Sequence, residues 1–148
     1  MGAYFLGSFK HSIDAKNRLT LPAKFVVKFA KNKAMITKGF EGCLELWTSY
    51  DFDKRVSQIL SYSQNKKNAR ILARQILANS NEIEIDKAKR ILLPTNLKEI
   101  ASIKKDVMII GMGNKIEIWA MKTYEDFCYT TNKEFEKVAE KIDDENVK

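Results

Sequence analysis

Histidine and cysteine are scarce in this 148-residue chain: His11 is the only histidine, and Cys43 and Cys128 lie far apart. A single histidine removes most triad chemistry and every multi-histidine metal site. Two distant cysteines outside any C-x-x-C spacing make neither a disulfide framework nor a zinc site, which needs more ligands at closer intervals. Both thiols are expected to be reduced, buried, small apolar residues. No apolar run approaches the ~20 residues of a membrane span. No basic segment leads into an apolar stretch at the start, so no signal peptide is expected and the reading is cytoplasmic. G-x-S-x-G, Walker and dinucleotide fingerprints are missing too, and Gly111-Met-Gly113 sits in a hairpin pattern rather than opening a helix. An enzyme is not expected, nor a cofactor, a metal or a small-molecule substrate.

Against these absences stands ordinary globular material, 45% hydrophobic and 30% charged, with a net charge of +7. The charge is uneven along the chain. Residues 1–79 carry 14 Lys and Arg against 5 Asp and Glu, and residues 80–148 carry 12 against 14. A positive first half suits a phosphate backbone or an anionic surface, or a merely solvated face.

The chain repeats itself at an offset of 72 residues. Ser12–Pro22 falls on Glu84–Pro94, and the same offset superposes Gly39 on Gly111, Glu45 on Glu117 and Trp47 on Trp119. One register held across two separated blocks marks an internal duplication. The copies are expected at 1–79 and 80–148. Each copy reads as a short strand, a polar turn (Asp14-Ala-Lys-Asn17 or Asp86-Lys-Ala-Lys89) and a second strand. A proline, Pro22 or Pro94, suits the first turn of a helix that follows. Phe25, Val26 and Phe29, or Leu97, Ile100 and Ala101, give that helix its apolar face. Two further strands follow, Ala34–Lys38 with Leu44–Trp47 and Val107–Ile110 with Ile116–Trp119, joined by glycine-bearing turns.

Helical spacing continues between and after the copies. Phe52, Val56 and Ile59 form one stripe and Ala69, Leu72, Ala73 and Ile76 another. After copy two, Tyr124, Cys128, Thr131, Phe135, Val138 and Ile142 form a heptad-like seam. Packing within the chain is the expected use of that seam, and mating with another chain the alternative. The acidic end from Asp143 reads as frayed.

The D-x-x-x-R pairs, Asp14 with Arg18 and Asp86 with Arg90, are the informative motif. Aspartate accepts backbone N–H bonds in turns and pairs with arginine, so the motif at least staples a hairpin. Stapling leaves unexplained why Lys16, Lys87 and Lys89 share these turns. Two or three cations on an exposed loop, one of them a guanidinium, are what phosphate and guanine contacts require. Arg70, Arg74, Lys66 and Lys67 read as a solvated helix face, and Trp47 and Trp119 as packing residues rather than base-stacking ones.

The blocks Ser12–Phe25 and Glu84–Leu97, with Gly42–Trp47 and Gly113–Trp119, resemble the MraZ family, which is similar to the AbrB/SpoVT group of swapped-hairpin regulators. The resemblance implies an α+β fold of tandem AbrB-like units forming an internal pseudo-dimeric β-barrel flanked by helices. It also implies a sequence-specific transcriptional regulator that binds repeated promoter boxes upstream of the division and cell-wall cluster. Its partner would be double-stranded DNA at the nucleoid, met by a ring-shaped homo-oligomer. Carried over, the DNA-binding residues are Lys16, Asn17, Arg18, Lys24, Lys87, Lys89 and Arg90, with Asp14 and Asp86 organising the loops. Asn96 replaces Lys24 in copy two, so copy one is expected to make most of the contact. A ring-forming scaffold with incidental nucleic-acid affinity is the alternative. A basic peripheral membrane protein is disfavoured, because no basic helix carries a broad aromatic face.

Overall fold

The computed structural model describes residues 4–147. Copy one contributes β1 (Ser8–Ser12), β2 (Arg18–Thr20), α1 (Ala23–Val26), β3 (Lys33–Lys38), β4 (Leu44–Trp47), α2 (Ser49–Ser61) and α3 (Lys67–Leu77). Copy two contributes β5 (Asn81–Glu84), β6 (Arg90–Leu92), α4 (Thr95–Ile100), β7 (Asp106–Gly111), β8 (Lys115–Ala120), α5 (Met121–Thr131) and α6 (Phe135–Val147).

Six antiparallel strands form one sheet in the order β1-β7-β8-β4-β3-β5. The order reads the same from both ends once each strand is exchanged for its counterpart in the other copy. The first strand of each copy pairs with the other copy: β1 with β7, and β5 with β3. Strands β4 and β8 meet at the centre, with Glu45 opposite Glu117. Among the described residues, strands β2 and β6 pair only with each other, in a two-stranded ribbon centred on Leu19 opposite Ile91.

The closed barrel implied by the resemblance is not found among the described residues. The sheet is open, with β1 and β5 as its edges. Each ribbon strand is only three residues long and ends near Pro22 or Pro94, which have no N–H to extend a ladder. These prolines cap α1 and α4 rather than entering the first turn, with φ of −56° and −58° that suit the ring.

One apolar core lies between a face of the sheet and the layer made by the ribbon, α1 and α4. Leu19, Leu21, Phe25, Ile91, Leu93 and Leu97 meet Leu44, Leu46, Ile116 and Ile118 there. Phe5 stacks edge-on against Phe25, 5.3 Å between centroids. Phe5 also exchanges backbone bonds with Gly113, while the Gly111 N–H donates to the Gly7 carbonyl. A Cβ on Gly111 would lie 2.4 Å from the Phe5 and Leu6 backbone, so this crossing requires glycine. Of the expected face of α4, Leu97 and Ala101 are buried but Ile100 is exposed.

Gly39 and Gly111 are not structural equivalents. Ile36 pairs with Leu46, whereas Ile109 pairs with Ile118, so β7 runs one residue later than β3 relative to the offset of 72. The extra residue lies before β7, and a shorter turn before β8 restores the register.

Helices cover the opposite face of the sheet unequally. Trp47 packs against Phe52 of α2, and Trp119 against Tyr124 and Phe127 of α5. Both indole N–H groups donate within their own strands, to Glu45 and Glu117. Helix α3 folds back onto β3, where the buried Thr37 hydroxyl donates to the Ile76 carbonyl (3.0 Å). Helix α6 makes no comparable return. A 3-10 turn at Asn132–Glu134 joins it to α5, and Phe135, Val138 and Ile142 remain exposed. The seam therefore packs within the chain only in its first half, and the acidic end is helical through Val147 rather than frayed. Cys43 is buried, which pushes its thiol pKa up, whereas Cys128 is only half-buried.

Candidate nucleic-acid interface

The two D-x-x-x-R turns fold in the same way because the chemistry is local. In copy one the Asp14 Oδ1 accepts from the backbone N–H groups of Lys16 and Arg18 (both 2.9 Å). Its Oδ2 accepts from Arg18 Nε at 2.8 Å. In copy two the Asp86 Oδ1 accepts from Ala88 and Arg90 (both 2.9 Å), and Oδ2 from Arg90 Nε at 2.9 Å. One carboxylate thus satisfies two loop N–H groups and fixes a guanidinium side-on. The Nη1 and Nη2 atoms of both arginines make no hydrogen bond among the described residues.

The Arg18 N–H, ahead of its guanidinium, holds the Asp14 carboxyl below its usual value, and the Arg90 N–H does the same for Asp86. Both aspartates stay ionised at neutral pH and keep the arginines oriented. Asn17 and Lys89 close the turns in left-handed backbone, at φ of 62° and 64°. Asparagine tolerates that region well; lysine there costs of order 1 kcal/mol.

Strand exchange then ties the loops together. The carbonyl of Asn17 accepts from Leu93 N–H (3.0 Å), and that of Lys89 accepts from Leu21 N–H (2.8 Å). The loops sit at opposite ends of the ribbon, roughly 13 Å apart along it at 3.3 Å per residue. Between them the ribbon alternates. Leu19 and Ile91 point into the core, while Arg18, Thr20, Arg90 and Leu92 form the outer face. Arg18 faces Leu92 and Thr20 faces Arg90, which makes the two arginines diagonal neighbours, about 7–8 Å apart.

Lys16, Lys87 and Lys89 are exposed at the loops and form no ion pair among the described residues. Asn17 is half-buried, and its side-chain oxygen accepts from Lys98 of α4 at 2.8 Å. Lys98 is a neighbour of the loop that sequence reasoning missed; no local motif marks a contact made across 81 residues. Lys24 lies in α1, which follows the ribbon strand β2. Its ammonium lies over the Phe9 ring, 4.8 Å from the centroid. His11 lies on β1 opposite Val107, half-buried. Arg70 donates to the Gln64 carbonyl and closes the turn before α3.

Exchange also scrambles the charge split read along the chain. The Ile13 N–H donates to the Lys105 carbonyl, so loop one lies beside Lys104 and Lys105 of the second copy. The Ile85 N–H donates to the Asn32 carbonyl, which sets loop two beside Lys31 and Lys33 of the first. Charge per half therefore does not rank the loops. Among the described residues no helix is long and apolar enough to cross a membrane, and no cluster of three His, Cys, Asp or Glu could hold a metal.

Comparison with known proteins agrees with the duplication. The family model described as "MraZ protein" matches the chain twice, at residues 4–75 and 76–146. The chain is 43% identical over 138 residues to the "Transcriptional regulator MraZ" of Mesoplasma florum, covering 93% of this chain and 94% of that protein. A protein of the same name from Mycoplasmoides gallisepticum is 40% identical over 142 residues, 96% of this chain and 99% of its own length. The one from Thermoanaerobacter sp. is 39% identical over the same length and shares.

Proposed function

The chain belongs to the MraZ family, and on that premise we propose that it is a sequence-specific DNA-binding transcriptional regulator. The observation that carries this reading is the outer face of the β2–β6 ribbon. It presents two aspartate-anchored arginines with free Nη groups, flanked at each end by exposed lysines. A two-stranded ribbon fits the major groove, where a guanidinium meets guanine O6 and N7, and the loop lysines meet phosphates on either side. The spacing of about 7–8 Å between the arginines matches roughly two base-pair steps of 3.4 Å.

One ribbon covers few base pairs and binds weakly alone. The protein acts as a homo-oligomer, in the proposed form a ring, that engages repeated promoter boxes upstream of the division and cell-wall cluster. Linked protomers raise the effective concentration of each further contact. The unpartnered apolar face of α6 supports assembly. The site of action is the cytoplasm, at the nucleoid.

A salt titration of binding to promoter and scrambled duplex tests the proposal. A regulator gives a steep salt slope together with a specificity ratio of about a thousandfold or more. The exposed face of α6 favours a second reading, a ring-forming scaffold with incidental nucleic-acid affinity. A steep slope with equal affinity for both duplexes selects the scaffold.

A further inference from the structure

The ribbon is symmetric in its arginines and asymmetric between them. Rotation about the Leu19–Ile91 pair carries Arg18 onto Arg90, but it carries Thr20 onto Leu92. Leu92 is 58% exposed although both of its neighbours, Ile91 and Leu93, are buried. It lies directly opposite Arg18, about 5 Å away at the Cα, on the face that carries the guanidiniums. It is therefore an apolar side chain at the centre of the candidate interface, not a bystander at its rim. The apolar group a major groove offers is the C5-methyl of thymine.

We propose that Leu92 reads a thymine methyl within two base pairs of the guanine contacted by Arg18, and that the Leu92/Thr20 difference makes the recognised box directional. The proposal rests on the DNA-binding reading above and adds to it a specificity residue and a polarity. Threonine at the twofold-related position presents a smaller methyl and a hydroxyl, which fit more than one base. The paired arginines by themselves would read a palindrome. Leu92 sets which way round the chain lies.

The probe is the duplex that the full-length protein enriches from a randomised pool, with each thymine replaced in turn by deoxyuridine to remove only the methyl. Wild type loses about fourfold in affinity at one thymine, the size of one buried methyl group. Leu92→Thr, which keeps a single methyl of its own, loses most of the sensitivity to deoxyuridine there, while Leu92→Val keeps most of it. In the double variant T20L/L92T the sensitive position moves to the mirror-related side of the box. Thermal melting of all three variants stays at the wild-type value, because both side chains are exposed. The proposal is overturned if no thymine is methyl-sensitive in wild type, or if the sensitivity persists unchanged in Leu92→Thr. Failure to enrich any duplex would overturn the DNA reading itself, and this inference with it.

Discussion

The two copies of the repeat are alike at one end of the molecule and unlike at the other. At the ribbon, each Asp–Arg turn repeats the other bond for bond, to within 0.1 Å in the carboxylate–guanidinium distance. Across the sheet, α3 folds back and buries Ile76, while α6 runs on with Phe135, Val138 and Ile142 uncovered. The difference shows which part of the duplication is constrained by its own chemistry. A turn closed by its own aspartate needs nothing from its surroundings, whereas a helix after a linker goes wherever apolar surface is offered.

The largest expected effects test whether the copies share one core. Leu19→Ala and Ile91→Ala should each cost about 2–5 kcal/mol, since both side chains are fully buried at the ribbon centre. Denaturant unfolding should remain a single transition in both. Separate transitions for the two halves would break the picture of one interlocked core. Ile76→Asp belongs in the same range, as it buries a charge beneath α3.

Next come Arg18→Ala and Arg90→Ala, each expected to weaken binding to the enriched duplex by about ten- to hundredfold. Geometry that repeats so closely predicts similar losses. A loss confined to Arg18→Ala would instead restore the preference for copy one that the charge tally suggested. Smaller effects are expected from Asp14→Asn and Asp86→Asn. Each carboxyl has a lowered pKa in the folded chain, so its contribution is present above the unfolded value of about 3.9 and fades as pH falls through the folded value. The melting difference between wild type and either variant should be full at pH 6 and shrink toward zero in strong acid. A difference that grew on acidification would reverse the sign and discard the mechanism. Val138→Asp is the smallest: unchanged melting of the single chain at low concentration, with a lower assembly mass by light scattering. An unchanged mass would remove α6 from the assembly interface.

Much of this was legible in the sequence where the physics is local. The polar turns, the Asp–Arg pairs, strands such as Leu44–Trp47 and the stripes of α2 and α3 follow from spacing alone. Strand exchange did not follow, because periodicity tells which face of β1 is apolar but not that its partner is β7. The one-residue shift of β7 was hidden by the chance superposition of Gly39 on Gly111, two glycines that answer different needs. Gly111 yields to the crossing segment at Phe5 and Leu6, while Gly39 adjoins the Cys43 side chain in its own turn. Of the candidate site, both loops were readable and the ribbon between them was not. Thr20 and Leu92 look like ordinary strand residues until β2 and β6 are seen to pair.

Strand exchange also governs when the chain can fold. As the nascent polypeptide leaves the ribosome, β3 and β4 can pair as a hairpin, but β1 waits for β7, β2 for β6 and β4 for its second neighbour, β8. Until the second copy has emerged, β1 and β2, two of the first copy's four strands, have no native partner. Closure of the shared core is thus deferred almost to the end of synthesis. A chain released halfway would find those partners only in a second released half.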